Sequence, residues 1–200
     1  MKTYKIAAIP GDGIGTEVVS AGVEVLDALA RRAGTFAFTF DHFDWGGDYY
    51  LKHGRMMPEN GRDLIRSHDA ILFGSAGHPD IPDHITLWGL RLAICQPFDQ
   101  YANVRPTRVL KGITSPLRKV EDKELDWVIV RENSEGEYAG IGGRVHQGLP
   151  IEAATDVSIL TRAGVERIMR FAFALARSRP RKLLTVVTKS NAQRHAMVMW

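Results

Sequence analysis

Apolar runs at 4–9 (YKIAAI), 70–74 (AILFG), 125–130 (LDWVIV) and 182–188 (KLLTVVT) are short, bounded by polar or glycine-rich text, and predict buried strands. A further stretch, 35–40 (TFAFTF), alternates in the period of a half-buried strand. Between them the pattern changes to a helical one. Val18, Val19, Val23, Leu26 and Leu29 recur helically over 14–32, and Gly34 behind Arg31 and Arg32 marks the stop. Over 158–178, Leu160, Val165, Ile168, Phe171, Ala172 and Leu175 fall on one helix side. A short helix is predicted over 59–66 and another over 86–101, the latter weakened by Gly89 and Pro97. RENSEGEYAGIGG, from Arg131, reads as a polar loop or arm.

Strands alternating with helices predict an α/β fold with a mixed, partly parallel sheet. Ligands of such sheets collect at the carboxyl ends of the strands. Here PGDGIG, GSAGHPD, RENSEGEY and TKSNA each follow a predicted strand. This repetition is the physical pointer to a site.

Composition narrows the class. The 200 residues are 44% hydrophobic and 24% charged, which suits a globular protein with an ordinary core. Cys95 is the single cysteine, so no internal disulfide forms and no CxxC metal site exists, as in a reducing compartment. No apolar run approaches the roughly 20 residues that span a bilayer, and the N-terminus lacks a signal-peptide core. We therefore expect a cytoplasmic protein with no membrane partner. The net charge is +3, and the one dense basic cluster, Arg177 to Lys182, reads as a solvated helix end. Without a basic stripe and interleaved aromatics, nucleic acid is not an expected partner. His78, His84, His146 and His195 have no metal-ligand spacing and read as surface or loop residues.

The glycines of PGDGIG stand at 11, 13 and 15, a GxGxG spacing where a dinucleotide loop has GxGxxG. Asp12 lies among them. A carboxylate there suits a helix N-terminus but competes with a pyrophosphate for the same amides. The residues leave two readings open, a phosphate loop or a tight strand–helix turn with a capping aspartate, and favour the second.

IPGDGIGTEV, FGSAGHPD, PDHITLWG, FDQYANVRP, VIVRENSEGEYAGIGGR and VTKSNA occur in this order, and together they resemble the β-decarboxylating dehydrogenases of the isocitrate and isopropylmalate family. The segments around 84–105 look most like its tartrate and D-malate branch. The resemblance implies a two-domain, isopropylmalate-dehydrogenase-like fold, with 1–100 starting the large cofactor-side domain and 101–200 an incomplete second domain with a dimerisation arm. It implies NAD, Mg2+ or Mn2+, a small 2-hydroxy dicarboxylate substrate and a homodimer that shares its lysine across subunits. Tyr138 and Lys189 match the family's catalytic pair, the phenol protonating an enol and the amine helping to take the hydroxyl proton. Arg105, Arg131 and Asn191 match substrate contacts. Ile14, Gly74, Ser75, Ala76, Gly77, Thr86 and Asn191 match the cofactor side, and Leu87 stands beside a position that meets substrate or cofactor. On this reading the glycine turn only looks like a dinucleotide loop.

Two departures qualify the resemblance. The family carries an arginine ten residues before that of NVRP, where this chain has Cys95 followed by Gln96. Arg91, one α-helical turn earlier, is the expected replacement. The metal-binding aspartates and most of the adenosine site are expected beyond Trp200, so the chain alone is expected to be inactive. An isopropylmalate dehydrogenase, and a non-catalytic dimerising or ligand-binding fragment, are the alternatives.

Overall fold

The apolar run at 4–9 lies within strand β1 (Lys2–Gly11), where Ile6, Ala7, Ala8 and Ile9 are all buried. In this computed structural model, which describes residues 1–117 and 125–200, β1 is flanked by β2 (Phe36–His42) and β3 (Ala70–Ser75). Both neighbours run parallel to it, in the order β2-β1-β3. A central parallel strand is covered on both faces, which is why its sequence is continuously apolar. Helix α1 (Gly15–Ala33) makes the crossover from β1 to β2. It ends as predicted, with Gly34 at φ 66° donating its N–H to the Ala30 carbonyl.

The chain separates into two units, Met1–Ile94 and Cys95–Trp200. In the first, α2 (Gly47–His53) and α3 (Gly61–Ile65) lead into β3. The hydrophobic pattern misses α2 because, of its seven residues, only Gly47 is buried, which leaves no apolar stripe. The helix predicted over 86–101 begins earlier and stops earlier. It comprises α4 (Asp83–Thr86), a π-helical stretch Leu87–Leu92 and α5 (Ala93–Cys95), ending two residues before Pro97. Trp45, Met56, Ile65, Ile81, Leu90, Leu92 and Ile94 complete the core of this unit.

In the second unit β4 (Ala102–Arg108) pairs antiparallel with β5 (Asp126–Glu132). β6 (Gly136–Val145) pairs antiparallel with β7 (Ala153–Ile159), and α6 (Arg162–Ser178) follows. Three expectations are corrected here. The polar loop predicted from Arg131 is largely strand, because β7 gives its glycine-rich backbone a partner. Helix α6 starts at Arg162 and not at 158, since Thr161 caps it by accepting the Gly164 N–H at 2.9 Å. The run at 182–188 is not a strand: no other strand pairs with it among the described residues, and Leu183, Val186 and Val187 are exposed. An apolar run becomes a strand only where another supplies its ladder.

Candidate active site

Asp12 sits where β1 turns into α1, and it is 5% exposed. It does not cap the helix, whose N-cap is Ile14 without a side-chain bond. The Gly15 N–H is taken by the Asp12 carbonyl at 2.9 Å and that of Thr16 by the Gly13 carbonyl at 3.3 Å. The carboxylate reaches outward instead, accepting the Gly47 N–H at 2.5 Å and the Gly77 N–H at 2.9 Å. The Asp12 N–H donates to the Ser75 carbonyl, and the Ser75 hydroxyl donates to the Asp12 carbonyl. One aspartate thus joins three loops, and the first-turn amides a pyrophosphate would need are already bonded. Glycine is required at two places around it. Gly11, at φ 68°, would drive a Cβ into the Ser75 carbonyl, and Gly46, at φ 151°, would bring one against Asp12 Oδ1.

The same junction holds most of the residues matched to the cofactor side. Gly74 and Ser75 end β3, with Ala76 and Gly77 following. Gly77 is exposed with open space where a Cβ would stand, and Ile14, 62% exposed, lies two residues beyond Asp12. These residues leave an open shelf at the end of β3. The Ser75 hydroxyl is committed to Asp12, and Thr86 is buried with its hydroxyl donating to the Asp83 carbonyl at 3.1 Å. The shelf is therefore built by backbone and Ile14 and not by these hydroxyls.

In the second unit, register brings the arginines together. Asn103 lies opposite Arg131, and Arg105 opposite Ile129. Opposed side chains share a sheet face, so Arg105 and Arg131 are diagonal neighbours on one face of β4–β5, about 7–8 Å apart. The Arg131 guanidinium lies 4.9 Å from the centre of the Tyr138 ring. Arg108, Arg167 and Arg179 pair with Asp126, with Asp99 and Glu132, and with Asp126, respectively, whereas Arg105 and Arg131 meet no carboxylate among the described residues. Two exposed guanidiniums with no carboxylate partner among the described residues, beside a phenol, are suited chemically to bind a small anion.

Lys189 and Asn191 lie in one exposed turn, where the Lys189 carbonyl accepts the N–H groups of Ala192 and Gln193. Lys189 is not launched from a strand, since 182–188 is not one. Arg91 belongs to the π-helical stretch Leu87–Leu92, and Cys95 ends α5 directly after it. Among the described residues no three His, Cys, Asp or Glu side chains are grouped to hold a metal ion. Sequence reading took Asp12 for a cap and gave Gln96 no role. The first had a signal, a carboxylate among glycines; the second had none, because its partner is 42 residues away.

The chain belongs to the isocitrate/isopropylmalate dehydrogenase family, whose model matches residues 5–200. Its whole length is 68% identical to a probable tartrate dehydrogenase/decarboxylase of Agrobacterium vitis, of which it spans 56%. It is 50% identical to the decarboxylating D-malate dehydrogenase of Escherichia coli K12, again spanning 56% of that protein. Its fold matches an isocitrate dehydrogenase from Methylococcus capsulatus with a TM-score of 0.82 and 32% identity, over 98% of this chain and 54% of that one. The chain therefore spans about half the length of these relatives.

Proposed function

We propose that this chain carries the substrate arginines and proton-handling side chains of an NAD-dependent, divalent-metal-requiring enzyme. Its substrate is a small 2-hydroxy dicarboxylate such as tartrate or D-malate, and decarboxylation follows oxidation. The observation that carries the reading is the pair Arg105 and Arg131 on one sheet face with the Tyr138 ring stacked on Arg131. The names of the relatives supply the substrate class.

The arginines hold the two carboxylates by charge-assisted hydrogen bonds. The Lys189 amine takes the hydroxyl proton, directly or through a water. The Gly74–Gly77 and Ile14 shelf would hold the nicotinamide of NAD, which when bound would supply the hydride acceptor. Loss of CO2 leaves an enolate, whose carbon takes the phenolic proton of Tyr138; solvent then reprotonates the phenolate. Among the described residues no metal site is formed, so no step is assigned to one, and the 200-residue chain is expected to be inactive alone. The protein works as a cytoplasmic homodimer. Ile141, Val145, Val157 and Ile159 support this, lying exposed on one face of the β6–β7 hairpin.

The test is NADH formation from D-malate or tartrate with Mn2+, in this chain and in a version extended to the length of its relatives. The longer chain forms NADH and the shorter does not. Arg131→Met in the longer chain raises KM for the diacid by about 10–100-fold, the worth of one lost charge-assisted pair. Preference for an isopropylmalate substrate, or NADH from the short chain, overturns the corresponding part of the reading.

A further inference from the structure

We infer that Gln96 is a positioning residue for Tyr138, a role that rests on the proton-donor reading of that tyrosine. β6 and β7 pair at Gly136↔Ile159 and again from Ile141↔Val157, with a register shift between. Four residues of β6, 137–140, therefore face a single residue of β7, and Tyr138 lies in this bulge. A bulged residue is not held in place by the ladder. The Gln96 carboxamide nitrogen donates to the Tyr138 carbonyl at 2.6 Å, where the ladder is interrupted. A carbonyl only accepts, so the side chain must present a donor here.

Tyr138 also donates its N–H to the Glu135 carbonyl at 3.3 Å, and further bonds hold the residues before it. Glu132 accepts the N–H groups of Ser134 and Glu135, and Glu135 accepts the Thr161 N–H and hydroxyl. These bonds hold the chain around Glu135, and Gln96 adds a tie at Tyr138 from outside the segment. The phenol is thereby kept under the Arg131 guanidinium, beside the arginine face. Gln96 also directly follows Cys95, the position where the resemblance predicts an arginine.

The test uses Gln96→Met, which keeps length and removes the donor, and Gln96→Glu, which keeps shape but offers an acceptor. In the turnover-competent chain both variants lower steady-state kcat by about 10–100-fold, within the range of a mispositioned general acid. KM for D-malate stays within about twofold, as expected when ground-state binding is untouched. The first-turnover burst of NADH, which precedes enolate protonation, keeps its wild-type rate. A merely structural defect would slow the burst equally; equal slowing, or no change in kcat, overturns the inference. A second measurement does not depend on activity. In the 200-residue chain the ring current of Tyr138 shifts the Arg131 side-chain proton resonances upfield, and Gln96→Met abolishes the shift. An unchanged shift overturns the inference even if no substrate is ever turned over. Absent NADH with an abolished shift condemns the proposed reaction and upholds the positioning.

Discussion

Asp12 shows how much a single side chain decides in this chain. Its carboxylate accepts two amides, one from the loop at Gly47 and one from the loop at Gly77. Asn in its place can accept one, but its NH2 then confronts the other N–H. Asp12→Asn is expected to lower stability by about 1–3 kcal/mol, read from the urea midpoint at constant m. Asp41 acts differently. Lys5, hydrogen-bonded to it at 2.8 Å, holds its carboxyl below the ordinary range, and His68 at 3.1 Å adds to the effect. Because this carboxyl releases its proton more readily in the folded chain, its contribution is present above about pH 4 and fades as the pH falls through its folded value. The melting temperature of Asp41→Asn should therefore lie below wild type at neutral pH and converge with it in acid. The candidate residues Arg105, Arg131 and Tyr138 were legible because they stand in distinctive text. The partners of Asp12 and Gln96 were not, because hydrogen bonds between distant loops leave no local pattern.

At the scale of elements, periodicity identified β1, α1, β2, β3 and α6, whose buried faces or termination signals lie within their own residues. It failed where an element owes its form to a neighbour. β6 is a strand because β7 pairs with it, whereas 182–188 has the composition of a strand but no partner among the described residues. β4 was hidden by Pro106 and by arginines that look unlike a sheet, although a proline is accommodated in an edge strand. Helix α6 was legible along its length but not at its start. Its cap Thr161 is joined by a carboxylate from Glu135, the partner that a capping box would place at the position held by Gly164. Thr161→Ala should destabilise the chain by about 1 kcal/mol, with Thr161→Ser close to wild type in the same denaturant titration.

On the scale of the second unit, the β6–β7 hairpin leaves an apolar face uncovered among the described residues. On the proposed homodimer, Ile141→Asp is expected to shift the chain to a monomer in size-exclusion chromatography with light scattering. No helix among the described residues is long and apolar enough to cross a membrane. The amino-acid order alone determined the α/β class, the central buried strand, the two long helices and the family, because burial and helix termination act within a few residues. Tertiary structure alone decided that the glycine turn is closed by Asp12 and that register sets two arginines side by side. It also decided that a tyrosine in a bulge is held by a distant glutamine, since strand pairing and loop-to-loop hydrogen bonds join residues the sequence keeps far apart.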